Sequence, residues 1–387
     1  MRSARLKELG EIITGNTPKT SEIKNYESDD ICFVKPSDID DKSISKLKNS
    51  EYYISEYARK SARIAPKHSI LVTCIGIIGK IAILENECAF NQQINAIVPD
   101  EKQVYPLYLA YNMFFQKKYL QQKANAPVVP IINKTDFGEF KIKLHNLIEQ
   151  QKIVDVLDKV ENLIDNRQQQ LNLLDDLIES RFIEMFGDPV TNPMGWEMKK
   201  LDDISDVGSS KRVFVEELKN TGIPFFRGTE IGLLAEGQNI KPEFYITEQH
   251  YNELCKISGK PQYGDLLMSS ICSDGRIWLV KDDFSFYFKD GRVLWIHNIV
   301  KSVNNLFLKY VLKEKFISDY EHIASGTTFK ELKIFILKQL TLPCPPIELQ
   351  NKFATFVEQT EKTKSTIKKS LDELNLLKDS LMQKYFG

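Results

Sequence analysis

Two stretches decide how this chain is read. ICFVKPSDI, from Ile31 to Ile39, returns as IPFFRGTEI, from Ile223 to Ile231, 192 residues later. Each is a short apolar run that ends in a turn carrying a cation, Lys35 or Arg227. Working outward, LKELGEI (Leu6 to Ile12) pairs with MKKLDDI (Met198 to Ile204) at the same offset. SILVTCIGIIGKIAIL (Ser69 to Leu84) pairs with DLLMSSICSDGRIWLV (Asp265 to Val280), aligning Lys80 with Arg276. LNLLDDLIESRFIEMFG (Leu171 to Gly187) pairs with LDELNLLKDSLMQKYFG (Leu371 to Gly387). Each match alone is weak. Four collinear blocks at a nearly constant offset mean that one unit of roughly 190–200 residues occurs twice. Two copies are too few for a solenoid. They suit a pseudo-two-fold molecule in which one chain imitates a dimer.

Each copy has two parts. The first reads as α/β (α+β) structure. Apolar runs bounded by turns give strands, Ser69 to Leu84 gives two strands broken at Gly76 and Gly79, and Tyr105 to Gln121 has helical spacing. The second reads as one long helix. Its apolar seam runs through Ile153, Leu157, Val160, Ile164, Leu171, Leu174, Ile178 and Met185 in copy one. In copy two it runs through Phe353, Val357, Thr360, Ile367, Leu371, Leu374, Leu381 and Tyr385. Steps of three, four and seven make this a heptad pattern. Gly187 and Gly387 suit C-terminal caps, and Pro345 and Pro346 suit a helix start. The domains expected are 1–145 and 188–345, each followed by a helical spacer, 146–187 and 346–387.

A long helix of this kind needs a partner in water. Residues 145–186 carry 4 basic and 9 acidic side chains and residues 345–387 carry 7 and 6, a balance compatible with pairing. Because each helix follows its own globular domain, the expected pair is an antiparallel coiled coil. The competing reading packs each helix on its own domain.

Composition bounds the function. The chain has 387 residues, 52 basic and 53 acidic, which is not the balance of a nucleic-acid coat protein. The six cysteines include no Cys-x-x-Cys pair, arguing against a zinc ribbon or a disulfide framework. No signal peptide or membrane span is read, so a cytoplasmic location is expected. Catalytic signatures are missing. No Asp/Asn-Pro-Pro-Tyr/Phe element holds a flipped adenine. Gly76 to Lys80 has two residues between glycines where a phosphate loop has four. The histidines at 68, 145, 250, 297 and 322 form no i, i+3 or i, i+4 pair, so no local metal signature arises. The chain reads as non-enzymatic.

The arrangement resembles the specificity subunits of type I restriction-modification systems. The resemblance is carried by Lys-x-Leu-x-x-Ile near the start of each copy (Lys7, Leu9, Ile12; Lys199, Leu201, Ile204) and by GNTPK at Gly15 to Lys19. It is also carried by LHNLIEQQKIVDVLD (Leu144 to Asp158) and CPPIELQNKFATFVE (Cys344 to Glu358), similar to a Pro-Pro-x-x-Glu-Gln-x-x-Ile pattern, and by a Phe-Gly end on both helices. Copy one has His145 and Asn146 where prolines are usual. Copy two has Leu349 for Glu149, and GSSKR (Gly208 to Arg212) in place of the Gly-x-Thr-Pro turn.

The resemblance implies two target-recognition domains, each reading half of a bipartite, asymmetric site in double-stranded DNA. It implies helices that space them and dock two methyltransferase subunits, through which restriction subunits join. S-adenosylmethionine, ATP and magnesium would belong to those partners, with none on this chain. Base readout uses Arg, Lys, Asn, Gln, Ser and Thr on loops. The candidates are Lys19, Thr20, Lys35, Ser37, Lys80, Asn91, Gln92 and Gln93 in copy one. In copy two they are Ser210, Lys211, Arg212, Arg227, Thr229, Ser273, Arg276, Thr327, Thr328 and Lys330. Three alternatives stay open: a methylation-only or other defence complex, a free-standing duplicated nuclease or methyltransferase, and a coiled-coil scaffold that never meets DNA.

Overall fold

The computed structural model describes residues 2–124, 130–281, 284–326 and 330–387. The chain divides into two compact units, Met1–Gln169 with Lys368–Gly387, and Gln170–Ile367.

In the first unit the strands are β1 (Arg2–Arg5), β2 (Gly10–Thr14), β3 (Ile31–Val34), β4 (Ser45–Leu47), β5 (Tyr52–Ile54), β6 (Ile64–Ala65), β7 (Ile70–Thr73), β8 (Ile81–Leu84), β9 (Cys88–Phe90), β10 (Ile94–Pro99) and β11 (Lys141–Leu144). The helices are α1 (Leu6–Leu9), α2 (Pro106–Phe115), α3 (Lys117–Lys123), α4 (Lys134–Gly138) and the first part of α5 (Leu147–Phe186). The main sheet has the order β2-β10-β7-β8-β4; a second has the order β5-β3-β9-β6; β1 pairs with β11.

Alternation along the main sheet explains why its strands read as unbroken apolar runs. Ile70, Val72, Ile81 and Ile97 enter one core with Tyr108, Leu109 and Met113 of α2. Leu71, Ala82, Leu84 and Ala96 enter another with Val34 and Phe90. Successive side chains point to opposite faces, and both faces are covered.

In the second unit the strands are β12 (Met198–Lys200), β13 (Asp206–Gly208), β14 (Ile223–Phe226), β15 (Phe244–Ile246), β16 (Leu266–Ser269), β17 (Ile277–Leu279), β18 (Tyr287–Phe288), β19 (Val293–His297) and β20 (Thr341–Pro343). The helices are α6 (Leu201–Ile204), α7 (Gly228–Ala235), α8 (Glu248–Ser258), α9 (Asn305–Ile323), α10 (Ile334–Gln339) and α11 (Ile347–Phe386), which crosses into the first unit's residues at its end. Its sheets run β13-β19-β16-β17, β15-β14-β18 and β12-β20.

Every strand of the second unit has a counterpart in the first, in the same sheet order. The one parallel pair in each small sheet recurs, Phe33 beside Ala89 and Phe225 beside Tyr287. The register of the central hairpin recurs too, Val72 opposite Ile81 and Met268 opposite Ile277. The first unit adds β4 and β6; the second places α7 and α8 where the first has short 3-10 turns at Pro36–Asp38 and Glu56–Lys60.

One detail of the repeat differs from the sequence reading. Leu6 and Leu201 each follow the first strand and each donates its amide, to Phe140 and Leu340 respectively. Leu6 therefore matches Leu201, and Leu9 and Ile12 match Ile204 and Val207, an offset three residues longer than the 192 read from the blocks. The apolar positions recur every three residues here, so a slip of three leaves apolar on apolar and is invisible to pattern matching.

Helices α5 and α11 have 40 residues each, about 60 Å at ~1.5 Å per residue. Each unit holds the beginning of one and the end of the other, packed antiparallel. In the first unit Ile153, Val154 and Leu157 share a core with Met382 and Phe386, and Lys378 meets Glu161 at 2.6 Å. In the second, Phe182 and Phe186 pack on Phe353, each at 5.5 Å between rings, and Lys364 meets Asp175 at 2.6 Å. Both readings of the helices thus hold a share. The same residues that pair the helices also seal each helix start onto its own domain.

That junction is fixed by a buried glutamine in each copy. Gln150 accepts from the Tyr105 amide (2.8 Å) and donates to the Gln103 and His145 carbonyls (3.1 and 2.9 Å). Gln350 accepts from the Asn304 amide (2.8 Å) and donates to the Ser302 and Pro345 carbonyls (3.3 and 2.7 Å). Both are fully buried, so every polar atom of the carboxamide is spent on backbone that would otherwise be orphaned. Gly187 closes α5 in the left-handed region (φ 75°), its amide returning to Ile183, as the sequence anticipated.

Candidate nucleic-acid interface

In the first unit, loops converge at the end of the main sheet where β2 and β7 finish and β8 and β10 begin. Gly15 and Asn16 donate to Ile94 and Phe90, seating the Gly15–Lys19 turn against Asn91–Gln93. Thr17 Oγ1 donates to Gln92 Oε1 at 2.7 Å. Asn91 donates its amide to Val34, next to Lys35. Lys80 Nζ reaches the Pro36 carbonyl at 2.9 Å. The structure therefore ties together the loops that carry Lys19, Lys35, Ser37, Lys80 and Asn91–Gln93, with Thr20 following Lys19 in the chain.

Their roles within this rim of loops differ. Lys19, Thr20, Ser37 and Gln92 are exposed. Lys35 sits with its ammonium 3.1 Å from the centre of the Tyr52 ring, a cation–π contact that holds the side chain in place. Asn91 is buried; its Oδ1 accepts from the Gln93 amide (3.1 Å) and its Nδ2 donates to Gln93 Oε1 (2.9 Å).

The second unit builds the equivalent rim with arginines. Ser210 is buried and donates to the Phe288 carbonyl at 2.5 Å, and the Lys211 amide donates to Tyr287 Oη at 2.9 Å. Arg212, largely exposed, lies 3.5 Å from Asp290. Arg227 lies between Glu230 and Glu243, each at 2.5 Å, and its guanidinium covers the Phe244 ring at 4.7 Å. Burial opposes the charge of Glu230, but the bonds from Arg227 and from backbone amides outweigh it, so the carboxyl stays below its usual range. Arg276 meets Asp274 at 2.6 Å and Glu236 at 3.0 Å. Burial works against its charge, and the two carboxylates more than offset that. Lys330 is held by Glu321. Thr229 is exposed at the start of α7 and Ser273 is exposed on its turn. Thr327 and Thr328 lie outside the described residues.

The equivalence of Lys35 with Arg227 is exact in structure. Each follows a central strand and donates its amide to an acid three residues on, Asp38 at 2.7 Å or Glu230 at 3.0 Å. Lys80 and Arg276 likewise close the same hairpin. Pattern reading missed Arg292. Its carbonyl accepts from the Ser270 amide (2.9 Å) as that of Gln93 accepts from Cys74 (2.8 Å), and each residue precedes the first residue of its strand, β19 or β10. The two lie 199 apart in sequence, in the stretch between the hairpin block and the helix block where no match was read, and only the strand register aligns them.

The comparisons with known proteins agree with this picture. The family model described as type I restriction modification DNA specificity domain matches residues 1–175 and again 193–376. The chain belongs to that family. It is a specificity subunit of a type I restriction-modification system, the DNA-recognition component, which is non-catalytic. It is 28% identical over 408 residues to the type I restriction enzyme MjaIX specificity subunit of Methanocaldococcus jannaschii, spanning 98% of this chain and 91% of that one. It is 30% identical over 196 residues to the EcoR124I/EcoR124II specificity subunit of Escherichia coli, covering 45% and 47% of the two chains. In fold it is similar to the type I S subunit from M. genitalium, with a TM-score of 0.60 and 14% identity over 100% of this chain and 96% of that one. A chain from a structural study of type I assembly and conformational transition has the same TM-score at 18% identity, over 99% and 96%. Specificity subunits of this family work in complexes with other restriction-modification subunits and DNA. Among the described residues no group of three or more His, Cys, Asp or Glu side chains could hold a metal, and no helix is long and apolar enough to cross a membrane.

Proposed function

We propose that each globular domain of this specificity subunit reads one half of a split, asymmetric DNA site, and that the two 40-residue helices form the spacer on which two methyltransferase subunits dock. Restriction subunits join through the methyltransferases. The methyltransferases bring S-adenosylmethionine and adenine-N6 chemistry; the restriction subunits bring ATP- and magnesium-dependent translocation and cleavage. The assembly works in the cytoplasm. The residues that read DNA are those of the two loop rims: in copy one Lys19, Thr20, Lys35, Ser37, Lys80, Gln92 and Gln93, with Asn91 setting the turn, and the equivalent loops of copy two.

The observation that carries this is one topology built twice with different chemistry in equivalent loops. Lysines and carboxamides line the first rim, and arginines held by carboxylates line the second. Two copies that read the same bases would not diverge there while keeping strand register. A near-neutral chain, with 52 basic and 53 acidic residues, also fits a protein that shares its phosphate contacts with partners.

The test is to co-express the chain with its cognate methyltransferase and map methylated adenines across a genome. A motif in two unlike halves separated by unspecified base pairs supports the proposal. A single uninterrupted motif, or methylation indifferent to this chain, refutes it.

A further inference from the structure

Gln93 and Arg292 occupy one structural position. Each ends the turn that enters the second strand of its main sheet, and each has its carbonyl clamped by the amide of the facing hairpin, Cys74 or Ser270. In the rim of each domain this position lies among loops tied together on both sides: Asn91–Gln93 with Gly15–Lys19, and Lys289–Arg292 with Ser209–Arg212 through the contact of Asp290 with Arg212 and the Ser209 Oγ bonds to Gly291 and Val293.

Both side chains are oriented by a neighbour yet keep hydrogen-bonding capacity. Gln93 Oε1 accepts one bond, from Asn91, and Nε2 has no partner among the described residues. Arg292 gives Nη1 to Glu331, leaves Nε and Nη2 without partners among the described residues, and is 60% exposed. Glu331 is itself kept below the usual carboxylate range by Lys333 first and then by Arg292, so the anchor stays charged.

We propose that this position is the principal specificity-determining residue of each domain, with Arg292 reading a guanine in one half-site and Gln93 an adenine in the other. The chemistry follows from the major-groove edges. A guanidinium fork matches the two acceptors of guanine, O6 and N7; a carboxamide matches the donor and acceptor of adenine, N6 and N7. A held side chain loses less freedom on binding than a loose one, which favours direct readout over a wandering phosphate contact. The inference rests on the two-reader function proposed above.

The experiment uses the subunit assembled with its cognate methyltransferase. Methylation rates are measured on DNA duplexes carrying the mapped site and on a set with each base pair replaced in turn, for wild type, Arg292→Gln, Arg292→Lys and Gln93→Ala. Arg292→Gln should lose roughly ten- to a hundredfold of discrimination at one G·C pair in one half, leaving the other half intact, and Arg292→Lys should lose part of it at the same pair. Lysine keeps the charge but not the fork. Gln93→Ala should relax one A·T pair in the opposite half. Several results overturn the inference: full discrimination in both Arg292→Gln and Arg292→Lys, which marks a contact that reads no base; equal slowing on every duplex with the motif unchanged; relaxation of both halves by one variant; or a half-site with no G·C pair. If wild type yields no split motif at all, the function proposed above fails first. A split motif that survives both Arg292 variants overturns this inference alone.

Discussion

Replacing Gln350 with Leu removes the device that fixes α11 to its domain, and the structure sets the size of the effect. The side chain is fully buried and serves one amide, Asn304 at 2.8 Å, and two carbonyls, Pro345 at 2.7 Å and Ser302 at 3.3 Å. Leucine has a similar volume, so little cavity is left; the loss is polar. Each strongly bonded buried group left without a partner costs about 1–3 kcal/mol, and the long bond to Ser302 contributes least, for a total of about 3 kcal/mol. All 3 tryptophans, Trp196, Trp278 and Trp295, lie in the unit Gln170–Ile367. Urea unfolding followed by tryptophan fluorescence therefore reports the unit that contains Gln350. With a denaturant slope of roughly 2–3 kcal/mol per molar, the midpoint should fall by about 1–1.5 M. Asn351→Ala is the control, since it removes only the exposed bond to the Asn304 side chain (2.9 Å) and should change stability by no more than about 0.5 kcal/mol. A Gln350→Leu midpoint within about 0.3 M of wild type would mean that the three bonds carry no net weight and do not fix the helix.

Phe353→Ala opens the aromatic cluster that Phe353 forms with Phe182, Phe186 and Tyr310, with ring centroids 5.3–5.5 Å apart. Phe-to-Ala changes at such sites cost about 3–5 kcal/mol, so the same fluorescence transition should move at least as far as with Gln350→Leu; Phe353→Leu should recover most of it. His297 stacks on Trp295 at 3.9 Å, and burial lowers its pKa while Asp265 and Asp206 pull the other way. A histidine depressed in the fold adds stability that is present above its unfolded pKa, about 6.5, and is lost as pH falls through its folded value. Stability should therefore decline below about pH 6.5, and His297→Gln should flatten that decline; an unchanged pH profile in the variant would assign it to other groups.

How much of this was legible in the sequence depends on where the information sits. The runs Ile31–Val34 and Ile223–Phe226 were legible because both faces of those strands are covered, which leaves an uninterrupted apolar signal. The helix seam was legible because a packed helix repeats its chemistry every three or four residues. Near Leu6 the same regularity misled, since a three-residue slip preserves the pattern.

The buried glutamines could be quoted but not interpreted. Their partners are mostly backbone groups more than forty residues away, at Tyr105 and Gln103 for one and Asn304 and Ser302 for the other. Site residues divide along the same line. Lys35 with Arg227 and Lys80 with Arg276 aligned because they flank apolar blocks. Gln93 with Arg292 did not, because loops of different length intervene. That Asn91 and Ser210 are buried, one bonded within its own turn and the other to the distant Phe288 carbonyl, is a matter of solvent access and tertiary contact, which a one-dimensional pattern does not encode.

Two copies of one domain that read DNA independently should be exchangeable one at a time. The direct measurement is to replace residues 1–145 with the corresponding domain of a relative whose recognised site differs, assemble the hybrid with the cognate methyltransferase and sequence the methylated adenines. The expected motif has one half exchanged for the donor's and the other kept base for base. A motif altered in both halves, or unaltered in either, would contradict it.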